Sequence, residues 1–375
     1  MTHNKLTVRY HDKTVGTLVY SDHRTSFQYA QTWIENGFSI SPLSLPLNNS
    51  IFTPEIDPFG GIFGIFNDSL PDGWGRLLID RMLIKNNIDP HSITMLDRLA
   101  IAGTSGMGAL EYYPEEHFTF KHDIDLNLDK ISQQCKLVLQ DKPSDNLDYL
   151  FRNGGSSGGA RPKIFKKIDN EEWIIKFPSS QDSLNIGLQE YEYSKCAQKC
   201  GINVPNVRLF DSANCAGYFG IQRFDRIKTT KVHMASASAL LETSHRLPNL
   251  DYIQLLKLTK FLCKSEAELK KLFALMCFNV FAHNRDDHSK NFTFLYIADA
   301  ENKQKGWHLS PAYDLTYSNS IQGEQATTIA GEGKNPTLEN ILTVAKTIGL
   351  SASYAKTTAQ NIQEIVMADL AKYLQ

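Results

Sequence analysis

Residues 283–292 read HNRDDHSKNF, nine polar residues in a row before a phenylalanine, directly after the apolar run LKKLFALMCFNVFA. The run reads as a buried helix. A solvated helix exit needs one or two polar residues, whereas this one collects two carboxylates, two histidines, an arginine, a lysine and two amides. Asp286 and Asn291 stand in the spacing D-x-x-x-x-N. In protein kinases an aspartate so placed accepts the hydrogen bond of the substrate hydroxyl, and the asparagine holds a magnesium ion. Both groups must emerge from one short loop, so the separation is a geometric requirement. Asp287 would shorten the spacing by one, which favours Asp286 as the base. Lys290 suits neutralisation of phosphate charge, and His288 suits a brace within the loop. The alternative is an ordinary polar helix exit.

Other segments decide between these readings. WHLSPAYDLTYS places Asp314 after a short strand, where a second hard oxygen ligand for a divalent cation is needed; alone, Asp314 reads as a turn or cap residue. NGGSSGGARPK, from Asn153 to Lys163, sets four glycines and two serines before a strand, with Arg161 and Lys163 close by. Backbone N–H groups in such a run can approach an anion closely, although a flexible linker reads the same way. The segment lacks the Gly-Lys-Ser/Thr of a Walker loop. KIFKKIDNEEWIIKFP is a hairpin turning near Asp169-Asn170. Lys176, within its second strand, either faces solvent or grips phosphate. Glu190, on the helix that follows, would then pair with that lysine, with Glu192 as competitor on another helical face.

Glycine loop, strand lysine, helix glutamate, strands, D-x-x-x-x-N and a later aspartate occur in the order that a kinase requires. The order turns several weak signals into one reading: the polar loop is a catalytic loop.

The 375 residues suffice for two or three domains. Hydrophobic residues at 42% and charged residues at 21% are ordinary for a soluble globular chain, and a net charge of −2 gives no sign of nucleic-acid binding. Six scattered cysteines form no CxxC pair, so neither a zinc ribbon nor a disulfide framework is expected, and reduced thiols fit the cytoplasm. The N-terminus alternates like a strand pair and has no signal-peptide core. The longest apolar run, Leu272 to Ala282, is too short to span a bilayer. SFQYAQTWI and LSLPL continue a small α+β unit. Ser69 to Gly73 reads as a turn and helix cap, with a helix from about Trp74. Gly103, Gly106 and Gly108 precede a strand and read as a structural turn. A polar stretch from Glu115 to Asp148 suggests a domain boundary. The expected architecture is α+β: an N-terminal α+β subdomain (1–115), a strand-rich kinase N-lobe (145–235) and a helical C-lobe (236–375), together a bilobal protein-kinase-like fold.

NDSLPDGWGRLL, SSGGARPK, WIIKFP, QEYEYSKCA, QRFDR, DDHSKNF and LSPAYDL together resemble the HipA-like serine/threonine kinase toxins of bacterial toxin–antitoxin modules. The likeness covers most of the chain, and DDHSKNF with SPAYDL is its most specific part. It implies ATP- and Mg2+-dependent phosphorylation of a protein hydroxyl. Asp286 would be the catalytic aspartate, and Asn291 and Asp314 the metal ligands. Lys176 would contact ATP phosphates. The loop of Ser157, Gly158, Gly159, Ala160, Arg161 and Lys163 would cover them, and His288, Lys290 and Tyr313 would line the same site. Gln222, Arg223 and Phe224 fall where the adenine-binding hinge lies. A loop serine is autophosphorylated in this family, which expels the loop and silences the kinase. Ser156 matches that position best, and Ser157 is the alternative; Arg161 would receive the phosphoserine. Implied partners are a HipB-like helix-turn-helix antitoxin, operator DNA through it, and an aminoacyl-tRNA synthetase as substrate, with no membrane. Rival readings are a small-molecule phosphotransferase of the aminoglycoside or choline kinase kind, a metal hydrolase built on His283, Asp286, Asp287 and His288, and a degenerate kinase serving as a repressor or binding module.

Overall fold

Alternating apolar residues over Lys5–Tyr10 (β1) and Lys13–Ser21 (β2) form an antiparallel hairpin that reverses at His11, where φ is 54°. Leu6, Val8, Val15 and Leu18 are fully buried, as period-2 alternation requires. With Arg24–Tyr29 (β3), Ile51–Phe52 (β4) and Leu110–Tyr113 (β5) they make a sheet of order β4-β3-β2-β1-β5. The computed structural model describes residues 3–120, 126–228, 230–298, 305–319 and 323–374. LSLPL contributes no strand, only a bridge from Ser41 to Leu45. Around the sheet lie helices α1 (Gln31–Asn36), α2 (Gly64–Asn67), α3 (Gly73–Lys85) and α4 (Met95–Ala102). The last is started by a capping box of Thr94 and Asp97.

Lys163–Ile168 (β6), Glu171–Lys176 (β7), Val207–Phe210 (β8) and Tyr218–Gln222 (β9) form a second sheet of order β6-β7-β9-β8. Asp169 and Asn170 both have positive φ, 52° and 64°, as the two-residue hairpin turn demands.

The polar stretch after Glu115 contains structure that its composition hides. Helices α5 (Leu128–Leu139) and α6 (Leu147–Gly154) lie there or just beyond. Ile131, Cys135, Val138 and Leu150 join Trp74, Leu78, Ile164 and Ile175 in one hydrophobic core. The chain forms two compact units: one of residues 1–187, 209–235 and 239–243, the other of residues 188–208, 236–238 and 244–375.

The second unit takes most of α7 (Ile186–Lys199). After the single turn α8 (Ala237–Leu240) come α9 (Tyr252–Cys263), α10 (Glu266–Phe281), α11 (Leu338–Ile348) and α12 (Ala352–Leu370). A hairpin of Thr293–Ile297 and Gly306–Leu309 interrupts them. Helix α10 is the central one: Leu269, Leu272, Phe273, Leu275, Met276, Cys277, Phe278 and Val280 are all buried. It packs on α9 and α12. Among the described residues no helix is long and apolar enough to cross a membrane.

Candidate functional site

The polar loop begins where α10 stops. His283, at φ 50°, turns the chain, and its carbonyl accepts from Ser318 N–H at 3.0 Å. The two neighbouring aspartates then separate completely. Asp287 is buried; its Oδ2 accepts from Tyr252 Oη at 2.7 Å and its Oδ1 from Thr327 N–H at 3.1 Å. Thr327 Oγ1 also donates to the Asp287 carbonyl at 2.6 Å. Burial pushes the Asp287 carboxyl up to about 7 despite these donors. Asn279 Nδ2 donates to Tyr252 Oη at 2.9 Å, and Asn284 Nδ2 donates to Asn279 Oδ1 at 2.9 Å. A closed polar network therefore lies under the loop.

Asp286, one residue earlier, has a side chain 65% exposed. Its carbonyl accepts from Asn291 Nδ2 at 2.7 Å, so the two ends of the D-x-x-x-x-N motif are hydrogen-bonded to each other. His288 Nε2 lies 4.0 Å from Asp286 Oδ1, and its ring centroid lies 5.4 Å from that of His245. The segment carrying Asp314 is tied to the same loop. Tyr313 Oη donates to the Lys290 carbonyl at 2.6 Å and lies 2.7 Å from Thr293 Oγ1. Asp314 itself is half-buried and has φ 54°, a left-handed conformation that aspartate tolerates better than most residues. The second unit thus brings Asp286, Lys290, Asn291, Tyr313 and Asp314 together.

The first unit holds the glycine-rich loop and the lysines. Lys176 is buried, which overturns the solvent-facing reading: β7 lies inside its sheet, between β6 and β9. Its Nζ lies 5.6 Å from the Phe219 ring centroid. Lys163, opposite it on β6, is also buried, and its Nζ donates to the Gly158 carbonyl. Gly158, Gly159 and Ala160 are exposed at the loop tip, while Ser156 and Ser157 are buried at its base. Ser156 Oγ donates to the Ser105 carbonyl at 2.8 Å and Ser157 Oγ to the Gly154 carbonyl at 2.6 Å. Arg161 is not a waiting cation: its guanidinium meets both oxygens of Asp182, at 3.0 and 3.2 Å. Burial raises Asp182, but Ser179 N–H and Arg161 outweigh it and hold the carboxyl below its ordinary range.

At the expected hinge, Gln222 Nε2 donates to Glu171 and Phe224 is half-buried. Arg223 is buried against Asp225, at 3.0 and 2.8 Å, and stacks over Phe165. Its side chain is committed there, and its main-chain N–H donates to the Glu172 carbonyl at 2.7 Å. Asp225 is flanked by Arg223 and Arg226 and accepts from Gly108 N–H, which explains the glycine trio as a structural turn. On α7, Glu192 accepts from Lys372 and Tyr373, whereas Glu190 is buried. The competitor glutamate is therefore engaged elsewhere.

For a divalent cation, Asn291 and Asp314 supply an amide oxygen and a carboxylate, the oxygen-only set that a hard cation takes. Asn291 fits because its amide nitrogen is held by the Asp286 carbonyl, which leaves the oxygen as the ligating atom. Among the described residues no group of three or more His, Cys, Asp and Glu is placed to hold a metal, so the histidine-rich ligand set of a hydrolase is not assembled.

An α+β chain with a D-x-x-x-x-N loop tied to a following aspartate is of the kinase-like class. Residues 155–370 match the HipA-like C-terminal domain, and residues 6–113 match the HipA N-terminal domain. The chain belongs to the HipA family. Its fold is similar to that of HipA from Shewanella oneidensis MR-1, solved as a toxin–antitoxin complex with HipB and operator DNA: TM-score 0.71 and 17% identity over 98% of this chain and 90% of that one. The Helicobacter pylori proinflammatory kinase CtkA aligns at TM-score 0.36 and 14% identity over 55% of this chain and 90% of that one, too weakly to bear on the fold. No curated protein matches the chain by sequence.

Proposed function

We propose that the protein is an ATP- and Mg2+-dependent kinase of serine or threonine hydroxyls on a protein, acting as the toxin of a toxin–antitoxin pair. The observation that carries this reading is the hydrogen bond from Asn291 Nδ2 to the Asp286 main-chain carbonyl, which closes a loop carrying an exposed carboxylate at one end and an amide oxygen suited to a hard cation at the other. Mg2+ bound with ATP neutralises triphosphate charge. Lys176 and Lys163 would hold phosphate oxygens, and Asn291 and Asp314 would hold the cation. Asp286 accepts the proton of the substrate hydroxyl as its oxygen bonds to the γ-phosphorus and the bridging oxygen leaves with ADP. Lys290 offsets the charge that develops there.

The substrate class follows the family resemblance: a protein such as an aminoacyl-tRNA synthetase, together with a loop serine, Ser156 or Ser157, of the kinase itself. The likeness to a HipA solved with HipB and operator DNA supports a helix-turn-helix antitoxin as partner, with operator DNA reached through it. Transfer of labelled γ-phosphate from ATP to lysate proteins tests the reading. Wild type should label a small set of proteins and Asp286→Asn none; equal labelling by both overturns it.

A further inference from the structure

The segment Ser69–Gly75 lies outside every residue assigned so far, yet it is fitted to the glycine-rich loop backbone to backbone. Asp72 is the N-cap of α3, with φ −124° and ψ 172°. A carboxylate there ordinarily accepts from the first turn of its own helix. Asp72 makes no such bond; its Oδ1 accepts from Gly159 N–H instead. Lys163 Nζ donates to the Gly158 carbonyl. These two groups are the opposite ends of one peptide unit. A carboxylate on the N–H and an ammonium on the C=O both align with that peptide's dipole, so the unit is gripped in one orientation.

Neighbouring contacts add to the grip. Trp74 N–H donates to the Gly159 carbonyl at 2.9 Å, and Trp74 Nε1 donates to the Lys163 carbonyl at 3.0 Å. Gly73 has φ +46°, and a Cβ there would stand 2.5 Å from Gly159 O; at Gly75 it would stand 2.2 Å from Ser157 O. Both positions need glycine for this approach. The loop tip itself is exposed and glycine-rich, so nothing local fixes which way its peptides face.

We propose that Asp72 is a positioning residue for the glycine-rich loop, fixing the orientation of the Gly158–Gly159 peptide and so the surface that the loop offers to phosphate. That the ligand is a nucleotide phosphate rests on the proposed kinase function; the grip of Asp72 on the loop does not.

Hydrogen–deuterium exchange on the full chain without nucleotide, read on peptides covering 154–161, tests the grip. Loss of a charge-assisted hydrogen bond should speed exchange roughly tenfold or more in Asp72→Ala. Asp72→Asn keeps an acceptor oxygen but not the charge, and should fall between that variant and wild type; it also decides the matter if the alanine variant does not fold. Loop exchange at the wild-type rate in folded Asp72→Asn overturns the proposal. In steady-state kinetics Asp72→Ala should raise KM for ATP several-fold with kcat nearly unchanged, and a fall in kcat at unchanged KM also overturns it. If the wild type transfers no phosphate, the kinase reading fails while the exchange result still decides the role of Asp72.

Discussion

Lys163 and Lys176 stand directly opposite each other in the antiparallel β6–β7 pair, and both side chains are buried, at 8% and 9% exposure. Residues so paired lie on one face with Cβ atoms about 4.5–5.5 Å apart. Under the proposed function both ammonium groups would meet the phosphate oxygens of a triphosphate. ATP with Mg2+ should therefore raise the Tm of the wild type, by linkage worth about 2.7 kcal/mol at a hundredfold excess over Kd. Lys176→Met should lose most of that rise, and Lys167→Met, at an exposed position near the far end of the same hairpin, should keep it. Differential scanning fluorimetry with and without nucleotide measures both; an unchanged shift in Lys176→Met would remove the lysine pair from the site.

The candidate loop was legible because its polar residues fall in one short stretch after an apolar helix. Spacing singled out Asp286 over Asp287, and burial of Asp287 under Tyr252 and Thr327 supplies the physical reason. The hairpin turn at Asp169-Asn170 was legible because both residue types tolerate positive φ. What sequence hid was set by distant partners. Arg161 looked like an available cation, but Asp182 lies 21 residues onward and accepts from its Nε and one of its Nη atoms. Lys176 follows apolar neighbours in its strand, and its burial on β7 shows only in the folded chain. Helix α5 shows just four buried positions, Ile131, Ser132, Cys135 and Val138, in a polar surround, so its core face passed for linker. Asp72 read as a cap because it is one by position; its true acceptor role needs the glycine loop beside it.

Tyr252 connects α9 to the polar loop through one oxygen, which donates to Asp287 and accepts from Asn279. Tyr252→Phe keeps the ring but removes one hydrogen bond from each of the two buried partners. The expected loss is about 1–3 kcal/mol in denaturant unfolding at neutral pH. A loss of phosphate transfer larger than the fraction unfolded explains should accompany it, because the network carries the loop that presents Asp286. Wild-type stability in this variant would show that the network adds nothing.

Asp287 also gives a pH signature. Its carboxyl is raised in the folded state to about 7, mainly by burial, against an ordinary carboxylate value when unfolded. A group with a raised folded pKa contributes stability that is fully present below the unfolded pKa and is lost as pH rises through the folded one. Between about pH 4 and pH 7, therefore, Asp287 makes the wild type progressively less stable. Asp287→Asn cannot ionise, so its unfolding free energy should fall less across that window. Urea titrations of both proteins at several pH values test this, and parallel curves would refute the assignment.

Ser156 and Ser157 present a steric condition on self-phosphorylation. Ser157 is fully buried with its hydroxyl on the Gly154 carbonyl, and Ser156 is nearly so with its hydroxyl on the Ser105 carbonyl. Neither position has room for a phosphate, which brings about −1.5 to −2 charges and three acceptor oxygens. Once either serine is modified, the loop base cannot return to its buried place, and Arg161, held by Asp182, is not there to compensate. Incubation with ATP should give a single phosphate on Ser156 or Ser157 by mass spectrometry, absent in Asp286→Asn. The phosphorylated protein should be cleaved by proteinase K within residues 154–161 many times faster than the unmodified one. A phosphorylated loop that stays as resistant as the unmodified loop would mean that the serines leave their buried positions without releasing the segment, contrary to the packing at Gly154 and Ser105.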